Sequence, residues 1–253
     1  MKTILVFSFL INCAIIIGQN PKTIDFTKRM EEYDISKLWT LDKFEMDDDT
    51  PTLYRNEPLG YIGENYQRFQ IHFISAIKNP DNKLEYFIYG KTKSNGKICT
   101  FQGTITIVES KIYKDKYRTL RAGFAKGKYK FYEDPNQKGT GMLKGTFQTD
   151  FYINQENRIK YDDLLFDADD FRNNQFFGMW TTYNTKNSKE CNWGDYRIPY
   201  GGGLDVGPSY FIPNEKYKEF GWENYIIAYS NSQIKREMIE ARKKEREKWW
   251  LEQ

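Results

Sequence analysis

Between residues 66 and 153 apolar and polar positions alternate with a period of two, broken at intervals by turn residues. Side chains in a strand point to opposite faces in turn, so such stretches read as strands with one buried face. In residues 66–77, Phe69, Ile71, Phe73 and Ile77 share one parity, while Arg68, Gln70 and His72 share the other. Asn79-Pro80-Asp81-Asn82 supplies turn chemistry, and Leu84, Tyr86 and Ile88 resume the alternation. Ser94-Asn95-Gly96-Lys97 is the sharpest hairpin signal, because Asn-Gly accepts the positive φ of a tight turn. Residues 98–109 place Cys99, Phe101, Gly103, Ile105 and Ile107 against Thr100, Gln102, Thr104 and Thr106. In residues 123–133, Gly123, Ala125, Gly127, Tyr129 and Phe131 alternate with Lys126, Lys128 and Lys130. After Asp134-Pro135-Asn136 the scheme returns with Gly141, Leu143, Gly145, Phe147, Phe151 and Ile153.

One-sided alternation over hairpin-spaced strands predicts an antiparallel meander. The apolar parity carries glycines among its aromatics, and glycine inside a strand marks a bend or a close backbone approach. A sheet that coils sharply or closes on itself needs such positions on its concave face. The predicted fold class is therefore mainly β, an antiparallel meander forming a closed or strongly coiled barrel, with a C-terminal α-helix.

The flanking stretches are weaker. Phe26, Met30, Tyr33, Ile35 and Leu38 show loose helical spacing that fits a short helix against one end of the sheet. Residues 53–62 predict a strand interrupted at Pro58, residues 158–165 a short one, and residues 176–183 a clear one. Residues 111–120 read as a connection or an edge strand. Residues 188–208, rich in glycine and aromatics, have no helical period and read as a long ordered loop. Residues 230–253 lack Gly and Pro and are dense in Lys, Arg and Glu, which predicts one charged helix capped by Ser230 or Ser232. Trp249-Trp250-Leu251 ends that helix with a segment apolar enough to dock, on its own domain or on a partner.

Residues 1–18 combine Lys2, an apolar run from Ile4 to Ile17 and Gly18-Gln19, the pattern of a secretory signal peptide. The expected division is a leader over 1–18, a barrel-like domain over 19–229 and a helix over 230–253. The expected destination is export: periplasmic, outer-surface or secreted, with no transmembrane span once the leader is removed. The whole chain carries 38 basic and 35 acidic residues, and losing Lys2 leaves a charge near +2. That balance lacks the clustered excess of base that nucleic acid requires. Cys99 and Cys191 remain after export; they can pair as a disulfide in an oxidising compartment or stay free, and the sequence leaves both open.

The candidate chemistry is sparse. His72 is the sole histidine and lies on a polar parity, and two cysteines with one histidine do not make a four-ligand zinc site. Asp47-Asp48-Asp49 and Asp167-Ala168-Asp169-Asp170 read as solvated turns, not calcium loops. No metal and no cofactor are expected. Paired carboxylates could hydrolyse glycans without histidine, with Asp162, Asp163, Asp195 and Asp205 as candidates near aromatics. Trp180, Trp193, Tyr196 and Tyr200 are the candidate ligand-binding residues, since rings hold both glycans and apolar bodies. The expected role is a non-enzymatic binding protein for a small apolar or amphipathic ligand, or for a protein or glycan met by loops. The alternatives are a glycan hydrolase using a carboxylate pair and a structural subunit held through the C-terminal helix.

The meander of strands followed by a helix, in an exported chain, resembles the lipocalin-type (calycin) β-barrel over roughly residues 53–183. Gly178-x-Trp180 is similar to that family's Gly-x-Trp, which the family carries on its first strand. The resemblance implies a barrel that encloses a small ligand; no binding residue is carried over from it.

Overall fold

The alternating stretches form long strands in a computed structural model, which describes residues 21–44, 53–229 and 235–251. The leader, the Asp47–Asp49 loop, the proposed serine caps and the last two residues lie outside the described residues. In chain order the strands are β1 (Thr23–Asp25), β2 (Lys43–Phe44), β3 (Leu53–Tyr54), β4 (Leu59–Ile62), β5 (Gln67–Lys78) and β6 (Glu85–Ser94). They continue with β7 (Lys97–Tyr113), β8 (Arg121–Glu133), β9 (Gly141–Ile153), β10 (Ile159–Tyr161), β11 (Asn173–Thr182) and β12 (Ser188–Asp195). The helices are α1 (Thr27–Met30), α2 (Lys37–Thr40), α3 (Glu223–Tyr229) and α4 (Lys235–Glu245).

Every pairing is antiparallel, and the sheet closes. From β4 the order runs through β5, β6, β7, β8, β9, β11 and β12, and β12 returns to β4 through Cys191↔Ile62 and Trp193↔Gly60. The ring has 8 strands, set unevenly round its axis. Closure removes the unpaired edges that an open sheet exposes. β1 and β10 extend the ends of β7 and β9.

Closure needs tight curvature, and glycine permits it. Gly145 of β9 and Gly178 of β11 are register partners on the inward parity. A Cβ on Gly178 would lie 2.2 Å from the Lys144 carbonyl oxygen and 2.7 Å from the Tyr129 hydroxyl. Only bare backbone fits there, which is the physical content of the glycine-notched parity.

The inward faces meet in one aromatic core. Tyr129, Phe131, Leu143 and Phe147 are all buried, with Phe73, Phe101, Phe176 and Trp193 among them. Trp193 stacks on Phe176 at 5.0 Å between centroids, and Phe73 meets Phe131 edge-on at 5.6 Å. Most of the barrel interior is therefore filled with side chains.

The N-terminal segment closes one end. The weak helical spacing resolves into β1, α1 and α2, which bring Phe26, Met30, Ile35, Leu38 and Trp39 under the barrel. Trp39 meets Tyr86 and Phe147 edge-on and donates its indole N–H to the Thr149 hydroxyl at 2.9 Å.

Three expectations are corrected. Ile77, placed on the buried parity of residues 66–77, is 62% exposed, because a bulge between Phe73 and Ser75 shifts the register of β5. Residues 188–195, read as loop, form the strand that shuts the ring. Its inward parity, Lys189, Cys191, Trp193 and Asp195, holds only two apolar residues, so the alternation is short; the outward Asn192 is buried because its amide bonds the Tyr61 hydroxyl, Glu190 and the Pro199 carbonyl. The C-terminal helix is shorter than residues 230–253: α4 ends at Glu245, and Trp249–Leu251 make a 3-10 turn. The preceding stretch also contains α3, whose Ile226 packs with Trp222 and Phe211 over the outer face of β4. α4 lies against α3, and Glu245 pairs with Arg68 of β5. Among the described residues no helix is long and apolar enough to cross a membrane.

Candidate functional site

The end of the barrel opposite α2 is open. The β4–β5, β6–β7, β8–β9 and β11–β12 turns all lie there, and they surround a bowl of about 890 Å³. Its wall and floor come from inward positions: Ile62 of β4, Phe69 of β5, Thr92 of β6, Cys99 of β7, Glu133 of β8 and Trp180 of β11. The same alternation that fills the barrel deeper down thus lines the mouth.

Glu133 is the unusual member. It occupies an inward, otherwise apolar parity and is 4% exposed. Its Oε1 accepts the Thr92 hydroxyl at 2.6 Å. Its Oε2 accepts the Gly141 backbone N–H at 2.8 Å and the Trp180 indole N–H at 2.9 Å. Trp180, named from sequence, is thereby held by its polar tip while its ring faces the bowl. Glu133 and Thr92 were missed by sequence reasoning. The available signal was a carboxylate on the buried parity of 123–133, a position that costs several kcal/mol unless its partners are built in.

Cys99 and Cys191 are both free and buried in this structure. They lie on β7 and β12, which are separated by β8, β9 and β11 round the ring. Burial, with Glu133 adding to it, pushes the Cys99 thiol up to about 11. Burial pushes the Cys191 thiol well above its ordinary value too. Both behave as small core hydrophobes, not nucleophiles.

The other candidate ligand-binding residues do not share the bowl. Trp193 is 1% exposed inside the core. Tyr196 packs on Phe166 and Phe171 at 5.3 and 5.1 Å. Tyr200 is 73% exposed and stands edge-on to Phe177 above a second, outer hollow of about 490 Å³. That hollow is polar, with Arg172, Arg197, Asp150 and Asp205 in its lining.

The four candidate carboxylates are scattered by function. Asp195 is buried and takes both forks of Arg55, the Tyr161 hydroxyl and the Asn174 amide. Asp205 accepts Arg197 at 2.6 Å and the backbone N–H groups of Gly207 and Ile212. This arginine, which also meets Asp170 at 2.7 Å, orders the glycine-rich loop. Asp162 accepts the Leu164 N–H, and its neighbour Asp163 is buried. Burial raises the Asp162 carboxyl above its ordinary range.

His72 stacks on Trp250 at 3.8 Å and 8°, with its Nδ1 3.1 Å from Glu57. The C-terminal tryptophans therefore dock on the outside of the chain's own barrel.

The chain matches no protein-family model, no curated protein and no solved structure. Its class is set by architecture alone: a closed antiparallel barrel, plugged at one end and open at the other.

Proposed function

We propose that this is an exported, non-enzymatic binding protein that holds a small amphipathic ligand in the mouth of its barrel. The observation that carries the reading is the bowl of about 890 Å³, walled by Phe69 and Trp180 above the aromatic core, with Thr92, Cys99 and Glu133 in its lining. Binding sites for small molecules are concave, mostly apolar and furnished with a few placed polar groups, and the volume falls in their usual range of roughly 300–1,000 Å³. The mouths of β-barrels are among the places where such sites occur.

The filled interior limits the ligand to the upper part of the barrel. An apolar tail would rest on Phe69 and Ile62, and a polar head would meet Glu133 or the turns. Calorimetric titration of the mature protein with dodecyl-chain amphiphiles tests the reading. Saturable binding that weakens when Trp180→Ala removes the indole wall is the expected result. Absence of heat and of any melting shift across the series would overturn it.

A further inference from the structure

We propose that the mouth selects ligands carrying a protonated amine on an apolar body, with Glu133 as the fixed counter-charge. This inference rests on the mouth-binding reading above and adds the sign of the ligand.

Five charged side chains line the bowl. Four of them sit at the rim and are exposed: Glu64 and Glu190, Lys97 and Lys189. They balance in sign, and water screens each of them. The Glu190 carboxylate is moreover engaged by the Tyr61 hydroxyl and the Asn192 amide, outside the barrel wall. Glu133 is the buried charge of the bowl, and a buried charge is screened far less than an exposed one. It therefore sets the sign of the field on the floor.

The donors round Glu133 are all neutral. A hydroxyl, an indole N–H and a backbone N–H point at it, and each of the three donates. A carboxylate, which only accepts, matches three converging donors. Among the described residues no lysine, arginine or histidine is paired with it. Two carboxylate oxygens offer about four lone-pair sites, so about one site remains open. A charge buried with hydrogen bonds but no opposite charge gains from an incoming cation. An ammonium donates and cannot accept, so it complements that open site. The Trp180 and Phe69 rings add the aromatic faces that cations favour. A carboxylate or phosphate head would meet the opposite situation: a like charge on the floor.

The test compares dodecylamine, dodecanol and dodecanoate by calorimetry on the wild-type protein at neutral pH. The amine is expected to bind tightest and the carboxylate weakest, with about tenfold or more between amine and alcohol. Equal affinities, or tightest binding of dodecanoate, would overturn the charge assignment while leaving mouth binding intact. No binding of any of the three would overturn the mouth reading itself. Glu133→Gln keeps the shape and removes the charge. The amine preference is expected to collapse in that variant, and a preference that persists sinks the proposal. Should the variant fail to fold, as its circular dichroism would show, the wild-type series decides alone.

Discussion

The guanidinium of Arg55 meets the carboxylate of Asp195 side by side, with Nη2 2.7 Å from Oδ1 and Nε 3.0 Å from Oδ2. Both side chains are almost fully buried, and the pair joins the segment before β4 to the end of β12. Arg55 also donates to the Trp39 carbonyl at 3.0 Å, so the same contact ties the plug to the ring. Removing one partner leaves an uncompensated buried charge. Asp195→Ala is expected to destabilise the protein by about 3–5 kcal/mol in chemical denaturation. A loss below about 1 kcal/mol would show that the pair does not hold the plug.

Gly178 and Tyr129 make a second, opposite case. Gly178→Val would drive its side chain into the Lys144 carbonyl and the Tyr129 hydroxyl, and no rotamer avoids the Cβ itself. Loss of about 3 kcal/mol or more, or failure to fold, is expected by thermal melting. Tyr129 differs: its hydroxyl is buried with no partner among the described residues. Tyr129→Phe removes that orphan and is expected to be neutral or stabilising by about 1 kcal/mol. A large destabilisation would mean the hydroxyl is satisfied in solution.

Asp150 lines the outer hollow, and burial, with Asp162 nearby, pushes its carboxyl up to about 6 against the opposing hydrogen bond from Gln148. The folded protein thus holds this proton more tightly than the unfolded chain. The resulting stabilisation is present below the ordinary value of 3.8 and is lost as pH rises through about 6. Asp150→Asn does not ionise, so it is expected to be more stable than wild type at neutral pH by about 1–2 kcal/mol. The difference should shrink toward pH 4, in denaturant titrations across that range. A variant equally or less stable at pH 7 would contradict the assignment.

Arg68 clasps Glu245 through two bonds of 2.7 and 2.5 Å, and its guanidinium lies 5.2 Å over Trp222. This contact fastens α4 to β5. Arg68→Ala is expected to cost about 1–3 kcal/mol locally, seen as faster proteolysis within 235–251 with little change in the melting of the barrel. Unchanged cleavage would show that His72 and Trp250 hold the tail unaided.

Much of this was legible along the chain. The parity of Phe69, Ile71, Tyr86, Ile88, Phe101, Ile105, Tyr129, Phe131, Leu143 and Phe147 named the inward faces of five consecutive strands, because a half-buried strand must alternate. The candidate site was less so. Trp180 could be named as a candidate ring on its strand but not set against a partner, and Glu133 was assigned no role.

What the sequence determined by itself is therefore local: which residues extend, where hairpins turn, which parity faces inward, and where glycine lets the sheet bend. Each follows from backbone geometry and burial within a few neighbouring residues. The tertiary structure alone decided that β12 closes on β4, that α2 plugs one end, and that Glu133, Thr92 and Trp180 converge at the other. Those contacts join residues far apart in the chain, 136 positions for Leu38 and Asn174 and 140 for Arg55 and Asp195. Their polar members are buried only because distant partners satisfy them. No short window of sequence contains both β4 and β12, or both Glu133 and Trp180, so the parity of Glu133 hints at a buried carboxylate without naming its distant partners.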